Sequence, residues 1–136
     1  MKTEKQIEKD VFNVVKATMS DFISGKVYRK GMRPDDARGE DIVVSFLTGY
    51  NLQVQSGIVN VNAYVPDKAV SGYQTKVQDI KRLDALEAKI ISVFENIEND
   101  EYDFAIEDTP VTDSVEGIEE HYINFRVKFR RITIND

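Results

Sequence analysis

The chain has no cysteine and a single histidine, His121. The first absence excludes disulfides, thiolate metal sites and cysteine nucleophiles, and it fits a reducing compartment. The second excludes any site built on a pair of histidines. No apolar run approaches the length that spans a bilayer. Residues 1–10 are too charged for a secretory signal, so neither membrane insertion nor export is expected. The seven glycines are scattered at turns, with no Walker loop and no Gly-x-Gly-x-x-Gly. Lysine and arginine are missing from the whole stretch 90–124. Domain linkers and low-complexity segments are missing too. The 136 residues fit one domain, 1–136, long enough to bury a core.

What is present is segregated charge. Residues 1–89 carry 14 Lys+Arg and 12 Asp+Glu, a balance of +2, and residues 90–136 carry 4 and 12, a balance of −8, which together give the net −6. Arg126, Lys128, Arg130 and Arg131 then arrive together after the acidic stretch. Either these are solvated faces, or acidic and basic patches meet across a subunit boundary.

Hydrophobic spacing assigns the elements. Residues 3–23 read as a helix, with Thr3 and Gln6 at capping-box spacing and Ile7, Val11, Val14, Val15, Thr18 and Phe22 as its apolar stripe. Residues 26–41 read as a loop with a short strand at Val27-Tyr28 as an option. Residues 41–48 and 52–65 read as a hairpin turning at Gly49-Tyr50-Asn51. Its second arm alternates Val59, Val61, Ala63 and Val65 with Ile58, Asn60, Asn62 and Tyr64, the period of a half-buried strand. Leu52 and Val54 are out of phase with that set, which predicts a bulge near Ser56-Gly57. Fully extended, this arm spans about 45 Å, so the tip, residues 46–55, is expected to project.

A second helix is predicted over 75–99, starting at a Thr75/Gln78 capping box. Its stripe is Val77, Ile80, Leu83, Leu86, Ile90, Val93 and Ile97, read as docking on the sheet rather than forming a coiled coil. Strands follow at 102–107 and 119–134. In the last, Ile123, Phe125, Val127 and Phe129 face one way and Asn124, Arg126, Lys128 and Arg130 the other. Ile132 and Ile134 break that phase and predict a bulge at Arg130-Arg131. The expected fold is α+β in the order α-β-β-α-β-β. It has a mainly antiparallel four-stranded sheet, two helices on one face and a long projecting hairpin. Val59, Val61, Val65, Phe125, Val127, Phe129, Leu83, Leu86 and Ile90 are its expected core.

Chemical motifs are hard to find. His121 sits beside Glu119 and Glu120 with no nucleophile motif and reads as a surface histidine. The run Glu98, Asp100, Glu101, Asp103, Glu107, Asp108 lacks the calcium-loop pattern and reads as a solvated turn. No carboxylate pair is singled out for glycoside chemistry. Tyr122 shares a strand face with Arg126 and Lys128, but Phe125 and Phe129 lie opposite, so a core strand is read in preference to a nucleic-acid platform. The residues point to contact rather than catalysis: no catalytic, cofactor or metal residue is assigned.

One pattern goes further. Val27-Tyr28, Gly31-x-Arg33-Pro34, Glu40-Asp41-Ile42-Val43-Val44 and Gln55-x-Gly57-x-Val59-Asn60-Val61-Asn62-x-Tyr64-Val65-Pro66-Asp67 together resemble the small tail-completion proteins of tailed bacteriophages and prophages. These are also called tail terminators or head–tail joining proteins. The resemblance covers roughly residues 25–90, and residues 95–136 carry no matching motif. It implies a non-enzymatic virion subunit, assembled in the bacterial host cytoplasm. Such a subunit forms a ring, commonly a hexamer, that caps the tail tube and joins it to the head. The implied partners are other copies of itself, tail-tube proteins and head-connector proteins, without specific nucleic-acid or membrane binding. A ring needs a heterologous interface, for which Arg126, Lys128 and Arg130 against Asp103, Glu107 and Asp108 are the candidates. The hairpin tip, Thr48, Gly49, Tyr50, Asn51, Leu52 and Gln53, is the candidate partner contact. The alternatives are a stand-alone binding adaptor, another virion connector or a chaperone-like module, and, third, a small carboxylate enzyme.

Overall fold

The computed structural model describes residues 1–132. Helix α1 spans Glu4–Met19. Thr3 starts it: the Gln6 amide donates to Thr3 Oγ1 at 3.3 Å and the Thr3 amide donates to Gln6 Oε1 at 2.8 Å. Ile7, Val11, Val15 and Met19 recur every four residues and are fully buried. The helix stops short of residue 23. The Phe22 amide turns back to the Met19 carbonyl, and the Phe22 ring points outward under the charged ends of Arg82 and Lys89.

Strand β1 (Val27–Arg29), β2 (Asp41–Asn51), β3 (Gln55–Pro66), helix α2 (Ile80–Asn96), β4 (Tyr102–Ser114) and β5 (Glu120–Arg131) follow. They form one five-stranded sheet in the order β1-β2-β3-β5-β4. β1 runs parallel to β2, and all other pairs are antiparallel. The fold is α+β with both helices feeding one core, and the four-stranded expectation becomes a five-stranded mixed sheet. Three residues suffice for the extra strand because Val27 and Arg29 pair with Ile42 and Val44.

The alternation in β3 and β5 is the alternation of the sheet's two faces. Val59, Val61, Ala63 and Val65 join Ile123, Phe125, Val127 and Phe129 on the inner face. There they pack with the α1 stripe and with Leu83, Leu86, Ile90 and Phe94 of α2 in one cluster. All nine expected core residues are in it. Each fully buried side chain of this size contributes about 1.5–3 kcal/mol.

Several local expectations are corrected. The hairpin is not a long projection: β3 pairs with β5 from Ser56↔Arg130 onward, so the sheet embraces nearly the whole second arm. Leu52 and Val54 look out of phase because they lie in the turn, between the last pair Asn51↔Gln55. The bulge sits on β2 instead, between Phe46 and Thr48, with Leu47 as the extra residue. Gly57 stays in register because a side chain there would collide with the Thr48 carbonyl and the Gly49 backbone. The Phe46 ring turns inward onto Phe129, with centroids 6.1 Å apart.

Helix α2 starts at Ile80, not at 75. Val77 exchanges backbone hydrogen bonds with Lys68 at 2.8 and 2.9 Å, which holds it extended, and Asp79 takes the cap by accepting from the Arg82 amide at 3.2 Å. Strand β4 runs twice as far as expected, through a bulge between Glu107 and Val111 where Asp108 has φ 62° and Pro110 follows. In β5 there is no bulge at Arg130-Arg131. Both pair in register, and Arg131 continues the inward phase although it is charged. Ile134 lies outside the described residues.

Candidate functional site

Among the described residues the outer face of the sheet carries no helix, and its chemistry changes from one end to the other. At the end near the β1–β2 connection, Arg33 closes a clamp. Its Nε donates to Asp41 Oδ2 at 3.0 Å, and Nη1 and Nη2 donate to the two oxygens of Glu120 at 3.0 Å each. Asp41 is 2% exposed and Glu120 1%. The guanidinium lies 4.2 Å from the Tyr64 ring centre, and Tyr64 stacks on Tyr122 at 5.4 Å. The second Asp41 oxygen accepts the Lys26 amide at 2.8 Å. Burial pulls the Arg33 pKa down, but the hydrogen bonds it donates to Glu120 and Asp41, with their charges, outweigh it and the net direction is up. Burial likewise raises the Tyr64 phenol against the opposing charge of Arg33.

In the middle of the face an amide patch replaces the ions. The Asn124 amide donates to Asn62 at 2.7 Å and to Asn60 at 3.3 Å. Beyond it, β5 sets Arg126, Lys128 and Arg130 against β4. The register puts Arg126 opposite Glu107, Lys128 opposite Ala105 and Arg130 opposite Asp103. Arg126 reaches Asp108 at 3.5 Å while its Nε is buried without a hydrogen-bond partner. The six charged candidates are therefore neighbours on one subunit. Among the described residues neither Lys128 nor Arg130 forms an ion pair.

The tip residues divide. Thr48 and Gly49 pair with β3 opposite Ile58 and Gly57, Tyr50 and Asn51 form the last two rungs, and Leu52 and Gln53 make the exposed turn. The base of the tip is tied down: Gln55 accepts from the Lys2 amide and from Arg131 Nη1, and donates to the Lys2 carbonyl at 2.7 Å. That knot extends inward. Lys2 Nζ bonds Asp10 and Glu101 at 2.6 and 2.9 Å, Arg131 Nε bonds Glu101 at 2.9 Å, and the Tyr102 hydroxyl donates to Asp10 at 2.6 Å. Burial, then the hydrogen bond to Asp10, push the Tyr102 phenol well above its ordinary range. Sequence reading missed this network. Its one visible signal is Arg131 standing in the inward phase set by Ile123 to Phe129.

His121 is partly buried rather than fully exposed. Its Nδ1 lies 2.7 Å from Asp67 Oδ1, and the ring is mostly covered. Glu101 in the acidic run serves the Lys2 and Arg131 knot, while Asn99 accepts the amides of Glu101 and Tyr102. Among the described residues no three His, Asp or Glu side chains are grouped to hold a metal ion. The clefts are open. One of about 350 Å³ lies between α1 and the α2–β4 connection, lined by Asp10, Asn13, Ile97 and Tyr102 among others. The sequence matches no protein-family model and no curated protein.

Proposed function

We propose that the protein is a virion structural subunit of the tail-completion class. In this reading it forms a ring, commonly of six copies, that caps the tail tube and joins it to the head, and it assembles in the bacterial host cytoplasm. Its partners are its own copies and the tail-tube and head-connector proteins. One observation carries the reading. Three residues of the tail-completion pattern lie up to some thirty positions apart, yet they meet at the clamp: Arg33, Asp41 and Tyr64. Asp67 of the same pattern holds His121 beside it. The clamp residues fasten the β1–β2 connection to the sheet, a structural rather than a catalytic task. The uncovered outer face leaves Lys128 and Arg130 free to take a neighbour's carboxylates, which steers encounter and fixes orientation.

Light scattering with electron microscopy of the purified protein tests the reading. Ring particles, formed alone or on adding a tail-tube protein, are the expected result. A species that stays monomeric with every tail component overturns it and favours the second reading, a stand-alone adaptor or chaperone-like module, which the small exposed tip of the hairpin would suit.

A further inference from the structure

The two edges of the sheet differ in a way the ring reading does not use. The β4 edge is guarded: it carries Asp103, Glu107, Asp108 and Asp113, a bulge, and Pro110, which has no N–H to offer. The other edge is covered by β1 only opposite Ile42 to Val44. Past that point β2 runs seven residues further, Ser45 to Asn51, with no charge and no proline. The Ile42 amide donates to the Lys26 carbonyl at 3.0 Å, so by alternation Val44 and Phe46 also direct their backbone groups to that side. Phe46 lies beyond the last β1 rung. Leu47, Tyr50 and Leu52 stand 45%, 60% and 75% exposed along the same run.

We propose that this edge docks a second copy of the chain, β2 against β2, antiparallel and centred between Leu47 and Thr48, where the bulge lets Phe46 of one copy face Gly49 of the other, which joins two five-stranded sheets across a two-fold axis. The match is internal to the segment. An uncharged edge accepts an uncharged extended strand with exposed apolar side chains, and residues 45–51 are both. Identical neutral runs meet without repulsion, whereas two β4 edges would set carboxylates against carboxylates. The free run is bounded by β1 at one end and by the turn at the other. In the antiparallel arrangement each β1 lies beyond the partner's Tyr50, so residues 45–50 of the two copies pair along their length. The Leu47 bulge bends the edge and brings no charge or proline to it. This contact is isologous and closed, distinct from the head-to-tail contact of a ring.

The absence of cysteine makes the test clean. Thr48→Cys places two thiols on one face beside the axis, and Val111→Cys places a more exposed thiol on the β4 edge. Under mild oxidation Thr48→Cys should form disulfide dimers about tenfold faster than Val111→Cys, because thiols held next to each other come within disulfide reach. In light scattering the doubled mass of the wild-type unit should fall to the single unit in Leu47→Lys with Tyr50→Lys, at unchanged circular dichroism. Equal cross-linking rates at the two positions overturn the proposal, even if the double-lysine protein fails to fold. So does a folded double-lysine protein that keeps the doubled mass. Rings without Thr48→Cys cross-linking would sink this edge contact and leave the ring reading standing. Cross-linked dimers without rings would do the reverse.

Discussion

Phe125 and Arg126 are adjacent in β5 and point to opposite faces of the sheet. Phe125 is fully buried among valines, Phe129 and α2. Arg126 is 41% exposed and held by one ion pair at 3.5 Å. One step along the strand thus separates stabilisation by apolar area from a contact that solvent largely screens. The contrast is not uniform across the outer face, however. At the clamp the two carboxylates are as buried as the core, and at the Arg126–Arg130 end the ions are nearly surface residues. The outer face therefore has a structural end and an open end, and only the open end is free to serve a partner.

The largest expected effect tests the inner face. Phe125→Ala should lower unfolding free energy in a denaturant titration by about 3–5 kcal/mol, through lost burial plus the cavity left behind. Arg126→Ala should change it by no more than about 0.5 kcal/mol. Similar losses for the two would mean that the faces are not distinct.

Next comes the clamp. Arg33→Ala leaves Asp41 and Glu120 buried without their cation, and breaking such a pair costs about 3–5 kcal/mol. The exposed side of the guanidinium lets water relieve part of this, so the lower end is expected. Arg33→Lys keeps the charge but not the two-pronged fit to Glu120 and should recover only part of the loss. Full recovery by lysine would show that charge alone holds the connection to the sheet.

A smaller effect separates the knot behind the tip from the apolar core around it. The Tyr102 hydroxyl is buried against Asp10, and its folded pKa lies above the ordinary phenol value of about 10. A raised folded pKa stabilises below the unfolded value, so this contribution is complete below about pH 10 and is lost as pH rises beyond it. Tyr102→Phe should cost about 1–2 kcal/mol at neutral pH. It should also flatten the fall in stability above pH 10 relative to wild type. Parallel curves above pH 10 would mean that the phenol ionises freely.

The inner face was legible in the sequence because period two and the four-residue stripe of α1 are written in apolar residues that nothing else perturbs. The Thr3 cap was legible for the same reason: no competing partner approached it. Thr75 and Gln78 carry the same spacing, yet Lys68 captured Val77 into a backbone bridge, a contact that local sequence does not announce. The far half of β4 lies past Asp108 and Pro110, residue types that are rare inside strands and that here sit in a bulge. The clamp was half visible. Arg33, Asp41 and Tyr64 all stood in the tail-completion pattern, but Glu120 lies 87 positions from Arg33, a distance only the fold closes. The charge patches were seen as blocks along the chain. Cross-strand register then decided that Glu107 and Asp103 sit opposite Arg126 and Arg130.

That register also selects the smallest and most discriminating change. Reversing Arg126 and Arg130 together would set like charges against Glu107 and Asp103 and disturb the subunit itself, by about 0.2–1 kcal/mol per pair. Lys128 is opposite Ala105 and exposed, so Lys128→Glu should move stability by less than about 0.5 kcal/mol. If the open end of the face receives a neighbour's acidic segment, the same substitution should lower the oligomer mass at low salt. The wild-type oligomer should then dissociate as ionic strength rises, since exposed charges are screened over about 10 Å at 0.1 M. A Lys128→Glu protein with wild-type melting and wild-type mass at every salt concentration would remove the basic column from the subunit contact. The proposed ring would then need another surface to close through.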